Sequence, residues 1–195
     1  MDRWTELALG AQRGSQEALG TLVDTAYGPT HRLCASLVDT QSADDLAQET
    51  FLRVAKGIRG FRGESSAKTW LLSIAYHVCA SELRGRVRRR DHTERGGELL
   101  LSQLPAADAG TDQVAVDDLL HRLEPDRRAA FTLTQMYGLT YEETAAICGC
   151  ALGTVASRVA RARSDLIGLL RVDDRSDDPR DDRPAAPRTF RPLGG

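Results

Sequence analysis

Leu19, Leu22, Val23, Ala26 and Tyr27 recur at the i, i+3, i+4, i+7, i+8 spacing of one helical face, and Ser15 is placed to cap the start. Gly28 and Pro29 are expected to interrupt this helix, and a further one is predicted to carry Leu33, Cys34, Leu37 and Val38. After the polar turn DTQS, a helix beginning near Ala43 presents Ala47, Phe51, Val54, Ala55 and Ile58 as its apolar stripe. Gly57, Gly60 and Gly63 punctuate a loop. From about Ala67 a long helix runs through Trp70, Leu71, Ile74, Ala75 and Val78 into a run of arginines. Trp70 is expected in the core, because it shares that face with Ile74 and Val78. Residues 1–90 therefore read as one compact helical bundle.

Residues 91–112, DHTERGGELLLSQLPAADAGTD, hold no sustained period; the glycines and Pro105 mark a linker, made stickier by Leu99, Leu100 and Leu101. A second domain over 113–170 opens with a helix carrying Val116, Leu119, Leu120 and Leu123. Pro125 starts the next helix, where its missing N–H is harmless, and Gly138 ends it. After about residue 171, arginines alternate with aspartates among Pro179, Pro184, Pro187 and Pro192, so 171–195 is expected to be a disordered tail. The fold class expected is all-α: two small helical domains joined by a flexible linker.

With 41% hydrophobic, 28% charged and 5% aromatic residues, the chain reads as a soluble globular protein. It has no uncharged apolar run long enough for a bilayer, and its first residues lack a signal pattern, so a cytoplasmic location without membrane insertion is expected. A formal charge of −2 argues against a nucleic-acid binder, but the distribution changes that reading. Arg84, Arg86, Arg88, Arg89 and Arg90 form one basic group and Arg158, Arg161 and Arg163 another, whereas Asp44, Asp45 and Glu49 form an acidic patch. Opposite patches imply different partners. Cys34, Cys79, Cys148 and Cys150 contain no CxxC pair and are expected to be reduced thiols without zinc. His31, His77, His92 and His121 show no ligand or triad spacing with them, and no glycine motif cradles a phosphate. No cofactor, metal, small-molecule substrate or enzymatic activity is expected.

The segment LTYEETAAICGCALGTVASRVARARSDL has the spacing of a helix-turn-helix. Thr140 and Glu143 form a capping-box pattern, Gly149 supplies the turn, and small Ala145 permits a close crossing. Ile147, Val155 and Val159 are expected to pack the two helices together. Thr154, Ser157, Arg158, Arg161 and Arg163 then lie on the second helix, with hydroxyls and guanidinium groups suited to base edges and phosphates. A helical hairpin with a solvated arginine face is the alternative reading of this segment by itself.

GTVASRVARAR preceded by LTYEETAAICGC resembles the fourth conserved region of extracytoplasmic-function (ECF) sigma factors, of the sigma-70 family of bacterial RNA polymerase sigma factors. SADDLAQETFLRVAKGIRGFRGESSAKTWLLSIAYHV is similar to their second region. The resemblance implies a subunit that binds core RNA polymerase and directs initiation at promoter DNA, its first domain on the minus-ten element and its second on the minus-thirty-five element. It also implies a linker threading the polymerase and control by an anti-sigma factor.

The same resemblance implies that the helix with Asp44, Asp45, Leu46, Gln48, Glu49 and Leu52 docks on a basic polymerase coiled coil. Asp45, Gln48, Glu49 and Leu52 share one helical face, an arrangement that also suits a merely solvated surface. FRGESSAK is implied to capture a flipped non-template base, with Arg62, Ser65, Ser66 and Lys68 as contributors. His77 and Ser81, implied to face the minus-ten element, stand where the family commonly has asparagine and aspartate, so the family's minus-ten preference does not carry over to this chain. Arg84, Arg86, Arg88, Arg89 and Arg90 are expected to track phosphates. The competing function is a helix-turn-helix regulator that acts without being a sigma subunit.

Overall fold

The computed structural model describes residues 2–95 and 112–176, and among these every regular element is helical. The first group comprises α1 (Arg3–Gln12), α2 (Gln16–Leu37), α3 (Ala43–Gly57), a 3-10 turn (Ile58–Gly60) and α4 (Ala67–Arg95). The second comprises α5 (Asp112–His121), α6 (Pro125–Phe131) continued by a π-helical turn (Thr132–Met136), α7 (Tyr141–Cys148) and α8 (Leu152–Ser176). Expectations about 96–111 and 177–195 lie outside the described residues, although α4 runs to Arg95 and α8 to Ser176, past the expected linker and tail boundaries.

Helix α1 has no counterpart in the sequence reading. Asp2 caps it, accepting from the Thr5 N–H at 3.1 Å and the Thr5 hydroxyl at 2.6 Å. Thr5 Oγ1 in turn accepts from the backbone N–H of Ala67 at 2.9 Å, so one buried hydroxyl joins the start of α1 to the start of α4. Ser15 caps α2 as expected, with Oγ 3.1 Å from the Ala18 N–H.

The expected break at Gly28 and Pro29 is corrected: α2 continues through both. A proline here leaves the carbonyl one turn earlier without its helical donor. Burial outweighs that loss, because Ala26, Thr30, Leu33 and Cys34 are each fully buried on either side of it. Thr30 Oγ1 also donates to the Ala26 carbonyl at 2.8 Å.

The two groups of helices share a core. Leu33, Leu37, Leu46, Leu72, Val78 and Cys79 of the first cluster with Ala129, Leu133, Leu139 and Ile147 of the second. The second group also has apolar contacts of its own: Leu120 and Leu123 meet Ala162, and Ala130 meets Val155 and Val159. Ile147 was expected to pack the helix-turn-helix; it belongs to the shared cluster, because α7 is sandwiched between α8 and the first group.

Candidate functional site

The helix-turn-helix forms from local chemistry. Thr140 Oγ1 accepts from the Glu143 N–H at 3.1 Å and Glu143 Oε2 from the Thr140 N–H at 2.9 Å, a reciprocal cap at the start of α7. Those bonds, led by the Thr140 N–H and joined by one from Thr69, hold the Glu143 carboxyl below the usual carboxylate range. Gly149 ends α7 at φ 63, ψ 37, in the left-handed region that a side chain disfavours. Val155 and Val159 are buried on the inner side of α8, and Ser157, Arg161 and Arg163 are exposed on it.

The expected minus-thirty-five residues divide into distinct environments. Ser157 Oγ donates to the Thr154 carbonyl at 2.9 Å, and Thr154 is half-buried. Arg158 is half-buried, with Nη2 on the Asp126 carboxylate and Nη1 3.6 Å from Cys150 Sγ. Arg163 Nη2 donates to Gln135 Oε1. Asp126 and Gln135, both missed in the sequence, therefore orient two cations of α8.

In the first group the loop after the 3-10 turn walls a cleft of about 340 Å³, lined by Gly60, Phe61, Arg62, Gly63, Glu64, Ser65 and Trp70. The Phe61 and Trp70 rings stand 5.2 Å apart, tilted by 47°. Trp70 is half-buried, packing on the core as expected while one side faces this cleft. Ser66 caps α4 by accepting from the Thr69 N–H at 3.0 Å. Ser65 is exposed, Arg62 approaches Glu64 at 3.8 Å, and Lys68 Nζ donates to the Tyr137 carbonyl of the second group.

Along α4, His77, Ser81, Arg84 and Arg88 are exposed on the outer surface. Arg86 has a different position from its neighbours: it bonds Asp39, Ser42 and Glu82. Burial raises the Asp39 pKa, but the bonds from Arg86 and Ser42 win and hold its carboxyl below the usual range. Arg86 thus ties α4 to the turn before α3, and Arg89 returns to Glu82 at 2.9 Å.

On α3, Asp45, Gln48 and Glu49 are exposed and Leu52 is 56% exposed, which brings the expected carboxylates, amide and apolar anchor onto one surface. Asp44 is exposed too, accepting from Tyr27 Oη at 3.0 Å with His31 Nε2 at 3.3 Å. Leu46 is corrected: it is 8% exposed and packs in the shared core, on the buried side of α3 and not on its docking face. Among the described residues, no cluster of three or more His, Cys, Asp or Glu is placed to hold a metal, and no helix is long and apolar enough to cross a membrane.

Comparison with known proteins places this geometry. Residues 22–89 match the sigma-70 region 2 family and residues 113–166 the sigma-70 region 4 family. The chain is 45% identical over 172 residues to the ECF RNA polymerase sigma factor SigC of Mycobacterium tuberculosis, covering 87% of this chain and 92% of that one. It is 39% identical over 135 residues to the ECF sigma factor EcfG of Rhodopseudomonas palustris, covering 69% and 75%. Among solved structures it resembles the sigma factor RpoE of Bartonella quintana in complex with the anti-sigma factor NepR, at 32% identity and TM-score 0.65 over 79% of this chain and 97% of that one. It also resembles CnrH in complex with the cytosolic domain of CnrY, at 26% identity and TM-score 0.65, covering 88% and 99%.

Proposed function

The chain belongs to the ECF group of sigma-70 RNA polymerase sigma factors, and on that premise we propose which of its surfaces meets which partner. Asp44, Asp45, Gln48, Glu49 and Leu52 dock on a basic helix of core polymerase. The observation that carries this is the exposure of an apolar side chain, Leu52, in the middle of an acidic face. Carboxylates steer the encounter and the leucine supplies a desolvated anchor.

Arg62 and Ser65 border the cleft in which a non-template minus-ten base is held, and Lys68, in the first turn of α4, supplies a further cation to the same DNA. Trp70, backed by the buried Phe61, offers the base an aromatic surface, and stacking of this kind contributes about 1–3 kcal/mol per base. Ser66 holds the start of α4 in place behind them. His77, Ser81, Arg84 and Arg88 extend this surface along α4, the arginines on phosphates. Thr154, Ser157, Arg158, Arg161 and Arg163 read the minus-thirty-five element in the major groove.

The chain works in the cytoplasm as an initiation factor, with the polymerase supplying the chemistry. Its similarity to sigma factors solved with anti-sigma factors supports control by a partner of that kind. The sequence matches across both halves favour a sigma subunit over a free-standing helix-turn-helix regulator. Run-off transcription with purified core polymerase tests the assignment. Reversal of Asp45 and Glu49 to arginine is expected to abolish core binding and promoter-dependent transcripts while helicity is kept. A folded reversal variant that transcribes like the parent refutes the docking face.

A further inference from the structure

Arg86 turns away from the outer surface of α4 that Arg84 and Arg88 share. Its Nη1 donates to Asp39 Oδ2, its Nη2 to Ser42 Oγ at 2.7 Å and its Nε to Glu82 Oε1 at 2.8 Å. Burial works against its charge, but the bonds to Glu82 and Asp39 outweigh it and raise the Arg86 pKa. A phosphate would have to displace two carboxylates to reach this guanidinium. Asp39, in turn, starts α3. Its Oδ1 accepts from the Ser42 N–H at 2.7 Å, three residues on, which is the bond an N-cap side chain makes to a first turn. Ser42 makes no side-chain cap bond of its own. One oxygen of Asp39 is therefore on the start of α3 and the other on α4. The same start is held from α2 as well, where Tyr27 Oη donates to Asp44 at 3.0 Å and the Tyr27 ring stacks on Phe51 at 5.9 Å.

Asp45, Gln48 and Glu49 stand exposed on the turns that follow directly, so the seat of the first turn sets where their polar groups are presented. We propose that Arg86 is a positioning residue for polymerase docking and not a DNA cation: through Asp39 and Ser42 it seats the first turn of α3 against α4. The helix that runs along minus-ten DNA and the helix that docks on polymerase are thereby tied through one side chain. This rests on the α3 face being the one that meets polymerase.

Arg86→Ala and Asp39→Asn test this in the full chain with purified core polymerase. Asparagine keeps the capping oxygen and loses the ion pair, so it is the variant that preserves the fold if alanine at residue 86 does not. Core affinity is titrated where circular dichroism shows each chain as helical as the parent, and amide exchange is followed over Ala43–Leu46, the first turn of α3. The salt dependence of promoter binding is measured on holoenzyme saturated with the chain. A first turn seated only about one-fifth of the time lowers core affinity about fivefold. Both variants are expected to show a loss of that size with faster exchange in the first turn, and the double variant to lose no more than Arg86→Ala, because both act through one contact. Arg86→Ala should keep the parent's slope of log affinity against log salt for promoter DNA, whereas Arg88→Ala should flatten it by about one. Core affinity equal to the parent's in the folded variants, or a slope flattened in Arg86→Ala as in Arg88→Ala, overturns the positioning role. Reversal of Asp45 and Glu49 to arginine, run alongside, separates the two readings. If the reversal leaves core binding intact, the α3 face falls and the positioning role with it. If it abolishes core binding while Arg86→Ala and Asp39→Asn bind like the parent, the positioning role alone falls.

Discussion

Arg128 of α6 donates to the carbonyl of Leu37, 91 residues away at the end of α2, at 3.1 Å, and the same guanidinium donates to the carbonyls of His121 and Leu123 at 2.8 and 3.0 Å. It is only 8% exposed, and burial lowers its pKa. A single planar fork thus satisfies carbonyls on both sides of the contact between the two groups of helices, including one that a helix end leaves without an intrahelical donor.

Arg128→Lys keeps the charge and loses the fork. At least one buried carbonyl is then left unpaired, at about 1–3 kcal/mol, for a fall in Tm of roughly 5 °C. Thermal denaturation followed by circular dichroism reads this directly, and a midpoint equal to the parent's contradicts the bridging role.

Pro29→Ala should act in the opposite direction. Alanine restores the N–H that α2 lacks, and proline in a helix interior is about 3 kcal/mol worse than alanine, part of which is offset by the stiffer unfolded chain. The Tyr137 bond is to the backbone carbonyl of residue 29 and survives the change. A gain of about 1–2 kcal/mol in chemical denaturation is expected; a destabilised variant would mean that the proline ring itself is needed for packing.

The recognition helix offers a paired test in which the signs differ. Arg161 is exposed, so Arg161→Ala should flatten the slope of log affinity against log salt for duplex minus-thirty-five DNA by about one. Arg158 is held by Asp126, so Asp126→Asn should release it toward phosphate and steepen that slope by up to about one. Slopes that move together in both variants are incompatible with Asp126 competing for Arg158.

His121 gives the contact a pH dependence. Its pKa lies below 6.5 because of burial, with the nearby Arg128 charge in the same direction, while Asp117, Asp118 and the bond to Ala35 oppose the shift. The neutral form is thus favoured in the folded chain. Its contribution is fully present above the unfolded value of 6.5 and is lost as pH falls from there toward the lowered folded value, since the unfolded chain then takes up a proton that the folded one resists. Denaturation midpoints measured between about pH 8 and pH 5 should fall more for the parent than for His121→Gln. Parallel curves would remove His121 from the balance.

What the sequence determined by itself lies within a turn or two of each residue. Ser15, Thr140, Glu143 and Gly149 could be read because capping and reversal involve partners three to five positions apart, and the α3 face because carboxylates at helical spacing share a side. Leu46 was misplaced for the same reason: in an acidic helix, periodicity separates two faces but not which apolar residue near their border is covered. Tertiary structure alone decided that α2 runs through Pro29, where burial on both sides outweighs a lost hydrogen bond. It also turned Ile147 toward the first group of helices and gave Glu143 a partner in Thr69, 74 residues away. No pattern along the chain encodes that pairing, because a carboxylate oxygen left free by a helix cap can accept from any donor the fold brings to it.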